Sequence, residues 1–512
     1  MTTQRWDPDQ NPDDPYRWRA FWAIALSLFT MVMSFSIVFI ALPAIAHDFG
    51  VTLREVSWVI IAQSLTISAF MLPLGRVSDI TGRKKFHLVG LVFFGGGALL
   101  TAFAPTFALL LVGRVIMAIG AAMVQSVSTA IVTAVFPGKQ RGTALGSQTT
   151  AVAVGGATGP ILGGVLLHFF PWQAMFIFMA IPTAIAFFWA LLVLDDEKIG
   201  SNLGTKKEPF DWIGSGLSAF GITLVIITIN NPLGLAWTSP LILLGALSSV
   251  AVLAAFVWWE LRTPYPMLQL RLFTNPIFRY ATVTRITAFM SSTATFFLLP
   301  VFLLSFMGLD EGPTGLIMFF GALGMGIASQ ASGRLSDRYG FMRFTLLGFT
   351  VLILTSTTFG FLNGATPVIL IAPLLFLNGI GQGLWNSPNT SATMGSVPRS
   401  QYGSVSAFVN LTRNLGNVTG QAIAATIVTS VMVARGFDIQ LSEVAVVPGA
   451  GDAFLAGWRA AYIAVVAFAL LAFVSAAMTR DPRKQGEGES PGKTPWDRSE
   501  STVSRRDLIP RK

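Results

Sequence analysis

The chain has 512 residues, 53% of them hydrophobic and only 12% charged, about half the charged share of soluble domains, and its mean hydropathy is +0.64. It has no cysteine and three scattered histidines (His47, His87, His168), which excludes disulfide scaffolds, thiolate metal sites, iron–sulfur clusters and cysteine nucleophiles; no catalytic, cofactor-binding or metal-ligating set is expected. A net charge of +9 suits nucleic acid only as a clustered basic face on a soluble module, and apolar runs of 18 or more residues, recurring along nearly the whole chain, exclude such a module.

In chain order, residues 1–18 are polar and charged and predict a disordered tail. Hydropathy then predicts spans at about 19–41, 56–75, 86–104, 107–134, 143–167 and 173–194, a first unit of six over 19–194. A linker, 195–279, carries two more, at 212–230 and 240–260. A second unit of six, 280–478, has spans at 280–306, 312–332, 344–362, 367–393, 403–431 and 458–478, and 479–512 is a second polar tail. Helices are expected because backbone groups in lipid must be satisfied within the segment, and the runs are too long and unalternating for barrel strands. The first apolar run lacks a short core followed by a small-residue cleavage site, so span 1 is expected to be retained. The result is an all-α polytopic membrane protein.

Counting Lys and Arg orients it. Twenty-eight of the 34 fall in the tails and alternate loops on one side, three (Arg54, Arg435, Arg459) on the other, and three (Arg114, Arg285, Arg413) inside spans. Both termini are therefore expected in the cytosol.

The two units are copies. Gly75-Arg-Val-Ser-Asp79-Ile-Thr-Gly82 recurs 258 residues later as Gly333-Arg-Leu-Ser-Asp337-Arg-Tyr-Gly340. Gly142, Gly155 and Gly159 recur as Gly403, Gly416 and Gly420, an offset of 261 that also pairs Gly120 with Gly381, Ser126 with Ser387 and Pro137 with Pro398. Spans 7 and 8 are an inserted pair. Parallel six-helix copies place a cavity between the halves and suit alternating access by rocking.

On these residues the chain resembles the major facilitator superfamily. Gly75–Lys85 is similar to its loop 2–3 signature, and Gly146-x8-Gly155-x3-Gly159-Pro160-x2-Gly163-Gly164 matches every position of its span 5 antiporter motif. Leu111-x2-Arg114-x5-Gly120 resembles the span 4 motif, with Met117 and Ala118 where Gln and Gly are usual. With fourteen spans, the chain resembles the drug:proton antiporter (multidrug efflux) family. The resemblance implies a major facilitator fold, secondary transport of a small molecule, export (which the span 5 motif marks), and a monomer in a prokaryotic plasma (inner) membrane.

Chemistry adds roles. Gly155, Gly159 and Gly163 bare one face of span 5, where Pro160 removes a hydrogen bond, so this helix is expected to pack tightly and bend. Asp79, near Arg76, Arg83 and Lys84, is placed to pair with an Arg or cap a helix of the other bundle, and the resemblance extends that gate role to Asp337; in the second copy Phe341 and Met342 replace Arg83 and Lys84. Gly82, Gly333 and Gly340 belong to the same segments. The three intramembrane arginines are costly unless they face a bundle interior or a cavity. Candidate cavity residues are Ser34, Gln63, Arg114, Gln125, Arg285, Gln382, Asn386, Asn410, Arg413, Asn414 and Asn417; amides also serve as interhelical glue. Asn410, Arg413, Asn414 and Asn417 form a polar stripe on span 13.

One departure matters. The family carries an acid in span 1, nine residues before the Pro of Ala-Leu-Pro; here Ala41-Leu42-Pro43 is present and Ser34 stands at that place. A hydroxyl does not titrate near neutral pH, so this site cannot carry a coupling proton. The expected spans hold no carboxylate in the central third of the bilayer, and Gln63 stands where a Tyr is usual. Proton coupling is therefore in doubt, and a cavity with three arginines and no acid favours anionic or zwitterionic substrates, so export of amphipathic drugs or organic anions is expected. A non-transporting sensor, an uncoupled facilitator and an uptake carrier remain alternatives; a membrane enzyme lacks a polar catalytic cluster.

Overall fold

The computed structural model describes residues 7–479 apart from 12, 200–208, 232–234, 236–238, 438, 440, 442, 443, 445 and 446, with only the backbone of 53, 54 and 311. Fourteen helices long and apolar enough to cross a membrane are found among the described residues. The first unit holds α1 (Tyr16–Phe49), α2 (Trp58–Thr81), α3 (Arg83–Ala102), α4 (Phe107–Val135), α5 (Arg141–Phe169) and α6 (Gln173–Val193). The inserted pair is α7 (Trp212–Asn230) and α8 (Pro240–Glu260). The second unit holds α9 (Pro276–Val301), α10 (Glu311–Tyr339), α11 (Phe341–Gly360), α12 (Val368–Gly395), α13 (Tyr402–Ala434) and α14 (Ala450–Ala477). Their outer surfaces expose large apolar side chains such as Leu192, Phe103 and Ile369, a surface that lipid covers and water does not.

The duplication is visible in the packing. Within the first unit α1 packs on α5 and α6, α4 on α2 and α3, and α3 on α6; within the second, α9 packs on α13 and α14, α12 on α10 and α11, and α11 on α14. Each pair in one bundle has its counterpart eight helices later. The bundles meet through α2 with α13 and, by the same relation, α5 with α10; α4 with α13 and α5 with α12 complete the interface. The α7–α8 pair leans on α2 and, through α7, on α13. Fourteen spans place residues 7 and 479 on one face, called the terminal face below.

Prolines shape the helices without ending them. Pro43 and Pro160 lie within α1 and α5. Pro300, near the end of α9, lacks an N–H, and the helix passes into a π-helical turn, Phe302–Phe306, closed by Met307 N–H to the Phe302 carbonyl at 2.9 Å.

The tail expected before span 1 needs correcting where it is described. Residues 8–10 form a turn, the helix already begins at Tyr16, and Asp7, Asp9 and Asp14 are engaged by the rest of the chain. Opposite charges on the terminal face hold this acidic segment in place. The disorder expected for residues 1–6 and 480–512, and the centre of the 195–211 linker, lie outside the described residues.

Candidate functional site

A cavity of about 180 Å³ lies between the bundles. Its second-unit wall is polar: Arg285, Ser292 and Thr293 from α9, Gln382, Asn386 and Thr390 from α12, and Asn410, Arg413 and Asn417 from α13. The first unit contributes Thr129 from α4 and Leu145, Gln148, Thr149 and Val152 from α5, while Phe289, Phe296 and Met325 supply apolar surface. No carboxylate is among these residues.

The two guanidinium groups are held differently. Arg285 donates through Nε to the Val409 carbonyl (2.9 Å) and through Nη1 to Thr390 Oγ1 (2.7 Å), and its guanidinium carbon lies 5.1 Å from the centre of the Phe289 ring. These contacts fix its plane and leave its charge unneutralised. Arg413 instead reaches across the interface, donating through Nη2 to Gln125 Oε1 (2.9 Å), and Asn410 Nδ2 donates to the Gln125 carbonyl (3.0 Å). Gln125 on α4 thus ties the first bundle to the arginine-bearing wall of the second. Asn417 accepts from Thr293 Oγ1 at 2.6 Å, and the buried Gln148 Oε1 and Ser292 Oγ are without a hydrogen-bond partner. An anion entering here meets two cations in a low-dielectric interior, where charge attraction exceeds its value in water.

Several expected cavity residues lie elsewhere. Arg114 is fully buried inside the first bundle, hydrogen-bonded to Gln63 Oε1 and the Val59 carbonyl and lying over the Phe176 ring. It joins α4, α2 and α6 and does not line the cavity; Gln63, expected beside substrate, is its acceptor. Ser34 is fully buried and its Oγ has no partner. Asn414, on the stripe of α13, does not line the cavity. Sequence spacing identified the polar faces but not which neighbour each face meets. Thr129, Thr293 and Thr390 were missed because a single hydroxyl in a span carries no periodic signal.

At the terminal face the repeated acids make reciprocal contacts. Asp79, at the end of α2, accepts from Gly403 N–H (3.0 Å), Ser404 N–H (2.9 Å) and Ser404 Oγ (3.0 Å), at the start of α13. Asp337, at the end of α10, accepts from Gly142 N–H, Thr143 N–H and Thr143 Oγ1, each at 2.8 Å, at the start of α5. Each carboxylate caps the exposed N–H groups and positive dipole end of a helix in the opposite bundle. Arg83 adds a 3.1 Å ion pair to Asp79 and donates to the carbonyls of Ile199 and Arg399. The second copy has Phe341 in the place of Arg83 and keeps the helix cap.

Close backbone approach makes these contacts reachable. Gly82 and Gly340 follow the two acids at φ 99° and 89°, a conformation that turns α2 into α3 and α10 into α11 and that side chains disfavour. A Cβ on Gly333 would lie 2.9 Å from the Gly142 carbonyl carbon, and one on Gly75 3.1 Å from the Gly403 carbonyl oxygen. Along α5, a Cβ on Gly155 or Gly159 would lie 2.7 or 2.8 Å from the carbonyl oxygens of Phe29 or Met33 on α1, and one on Gly163 3.0 Å from Ile37. A Cβ on Gly416 would lie 2.8 Å from the Ile286 carbonyl oxygen, and one on Gly420 2.6 Å from Met290 Cα, both on α9. The glycine face therefore joins helices within each bundle.

One tie was not legible in the sequence. Arg399, between α12 and α13, pairs with Asp7 (3.1 Å) and Asp9 (3.6 Å), and Asp9 also accepts from Gly138 N–H (2.8 Å), between α4 and α5. The N-terminal segment bridges the two bundles.

Compared with known proteins, the Major Facilitator Superfamily profile matches residues 24–421. The riboflavin transporter RibZ of Clostridioides difficile (strain 630) is 26% identical over 406 residues, 79% of this chain and 87% of that protein. The multidrug resistance protein Stp of Mycobacterium tuberculosis (strain ATCC 25618 / H37Rv) is 27% identical over 409 residues, 80% of this chain and 75% of that one. Among solved structures, the human organic anion transporter MFSD10 (TETRAN) superposes with a TM-score of 0.64 at 18% identity, covering 90% of this chain and all of that one.

Proposed function

The chain belongs to the major facilitator superfamily, a membrane transporter rather than an enzyme, and from that premise we propose that it exports amphipathic organic anions by alternating access. The observation that carries the reading is the cavity wall with Arg285 and Arg413 and no carboxylate. Such a wall attracts an anionic group, while Phe289 and Phe296 offer apolar surface to the rest of an amphipathic molecule. Multidrug relatives support the breadth of this class, and the glycine pattern of α5 supports the export direction.

The Lys and Arg distribution supports a cytosolic terminal face, and the family resemblance supports a monomer in a prokaryotic plasma membrane. With that orientation, the Asp79 and Asp337 caps close the cytosolic side. The cycle requires α4 to part from α13 and both carboxylates to leave their helix ends. An anion that enters from the opened cytosolic side engages Arg413, competing with Gln125 for the same N–H groups. The caps re-form before the substrate leaves on the outer side.

Ser34, buried and unable to titrate, supports transport without a span 1 proton carrier. This favours a second reading, an uncoupled facilitator. Flux of paired anionic and cationic dyes in proteoliposomes, with and without a pH gradient, separates these readings. Preferred anion export is expected. Faster, proton-driven export of the cation would refute the anion assignment, and binding without flux would identify a sensor.

A further inference from the structure

A second cavity, a groove of about 420 Å³, lies on the outer flank of the first bundle between α3 and the end of α6, and no step of the transport cycle uses it. Lys84 and Lys85 stand at its polar end, in the first turn of α3. Leu88 and Val92 follow one and two turns deeper on the same face, with Phe187 of α6 opposite. From Lys84 to Val92 the face runs about 12 Å along the helix. It begins at the terminal face and descends among bilayer-directed side chains; Val92 is 57% and the neighbouring Phe188 61% exposed.

The charges in the groove are unspent. Arg83 is committed to the gate, but Lys84 and Lys85 make no ion pair among the described residues, and neither does Asp196, which lines the same groove just beyond α6. Asp196 Oδ1 is buried and without a hydrogen-bond partner. Two ammonium groups and one carboxylate leave a net charge of +1, next to a carboxylate oxygen that needs a donor.

We propose that this groove binds a monoanionic glycerophospholipid whose headgroup carries hydroxyl donors, of the phosphatidylglycerol type, from the leaflet at the terminal face. Its phosphodiester sits between Lys84 and Lys85, a headgroup hydroxyl donates to Asp196, and an acyl chain lies along Leu88, Val92 and Phe187. One phosphate neutralises the groove. A phosphatidylethanolamine headgroup brings a cation of its own and leaves the net charge at +1, and phosphatidylcholine has no headgroup donor for Asp196. Basic pockets between spans at a membrane face select anionic headgroups for the same reason.

The test is native mass spectrometry of the full chain, released from micelles after exchange into an equimolar mixture of phosphatidylglycerol, phosphatidylethanolamine and phosphatidylcholine. One retained phosphatidylglycerol is expected, about tenfold over the other two, reduced about tenfold or more in Lys84→Gln/Lys85→Gln. Val92→Trp, which keeps both lysines and fills the apolar half, is expected to lose the lipid as well while eluting as a single folded species. Equal retention of all three lipids by the wild type would overturn the proposal, as would unchanged phosphatidylglycerol retention in both variants. Preference for phosphatidylethanolamine would overturn the headgroup assignment.

Discussion

Asp79 and Ser404 stand 325 positions apart in the chain, yet the carboxylate of one accepts both the amide (2.9 Å) and the hydroxyl (3.0 Å) of the other. Asp337 and Thr143 repeat the arrangement with the bundles exchanged. A hydrogen bond to a charged group contributes about 1.5–3 kcal/mol. Asp79→Ala is expected to shift the closed-to-open ratio at the terminal face by about tenfold or more. The chain has no cysteine, so spin labels at Lys139→Cys and Ser400→Cys report this distance without background. Longer distances are expected in Asp79→Ala and Asp337→Ala; an unchanged distribution would remove the carboxylates from the gate.

Arg413 serves the cavity and the Gln125 tie together, and substitution separates the two. Arg413→Ala is expected to weaken binding of an anionic dye by about tenfold or more, because it removes a charge from a low-dielectric wall. Gln125→Ala leaves the charge and removes its competitor, so anion affinity is expected to hold or rise. Titration calorimetry of the two variants checks the opposite signs, and parallel losses would contradict the competition.

Ser34 is buried with an unpartnered hydroxyl in α1. Wild-type flux is expected to be insensitive to an imposed pH gradient. Ser34→Asp puts a titratable group at that place and is expected to make flux depend on the gradient. A wild type already driven by the gradient would show that protons use another route.

Glycines on the two sides of α5 should respond with opposite signs. A Cβ at Gly155 would lie 2.7 Å from the Phe29 carbonyl oxygen, whereas one at Gly164 meets nothing within 4 Å. Gly155→Ala is expected to destabilise by about 1–3 kcal/mol through overpacking. Gly164→Ala is expected to stabilise by about 0.5–1 kcal/mol, as Ala replaces Gly in a helix. Thermal unfolding in detergent compares them, and equal shifts would mean that α1 does not contact this face.

The bridge from Asp7 and Asp9 to Arg399 and Gly138 is partly exposed, so it should be weaker than the Asp79 cap and sensitive to salt. Asp7→Asn/Asp9→Asn is expected to lengthen the same spin-label distance at low ionic strength, and high salt should erase the difference. A difference that survives high salt would point to a structural rather than an electrostatic role.

Much of the architecture follows from the sequence alone. Apolar runs long enough to cross a bilayer must become helices because lipid offers no partner to the backbone, and repeated glycine and aspartate spacings exposed the two-fold plan. The departure at Ser34 and the capping potential of Asp79 were equally legible, being properties of residue type and position. Only the tertiary structure decided which polar groups meet. Arg114 and Arg413 look alike as cations within spans, but Gln63 encloses the first within a bundle while Gln125 meets the second across the interface. Asp337 keeps its helix cap although Phe341 stands in the place of Arg83, because the cap depends on where α5 begins. Composition and period report what one face of one helix can bury. Partnership between faces depends on helix rotation and crossing, which are set by packing across hundreds of residues and leave no local trace.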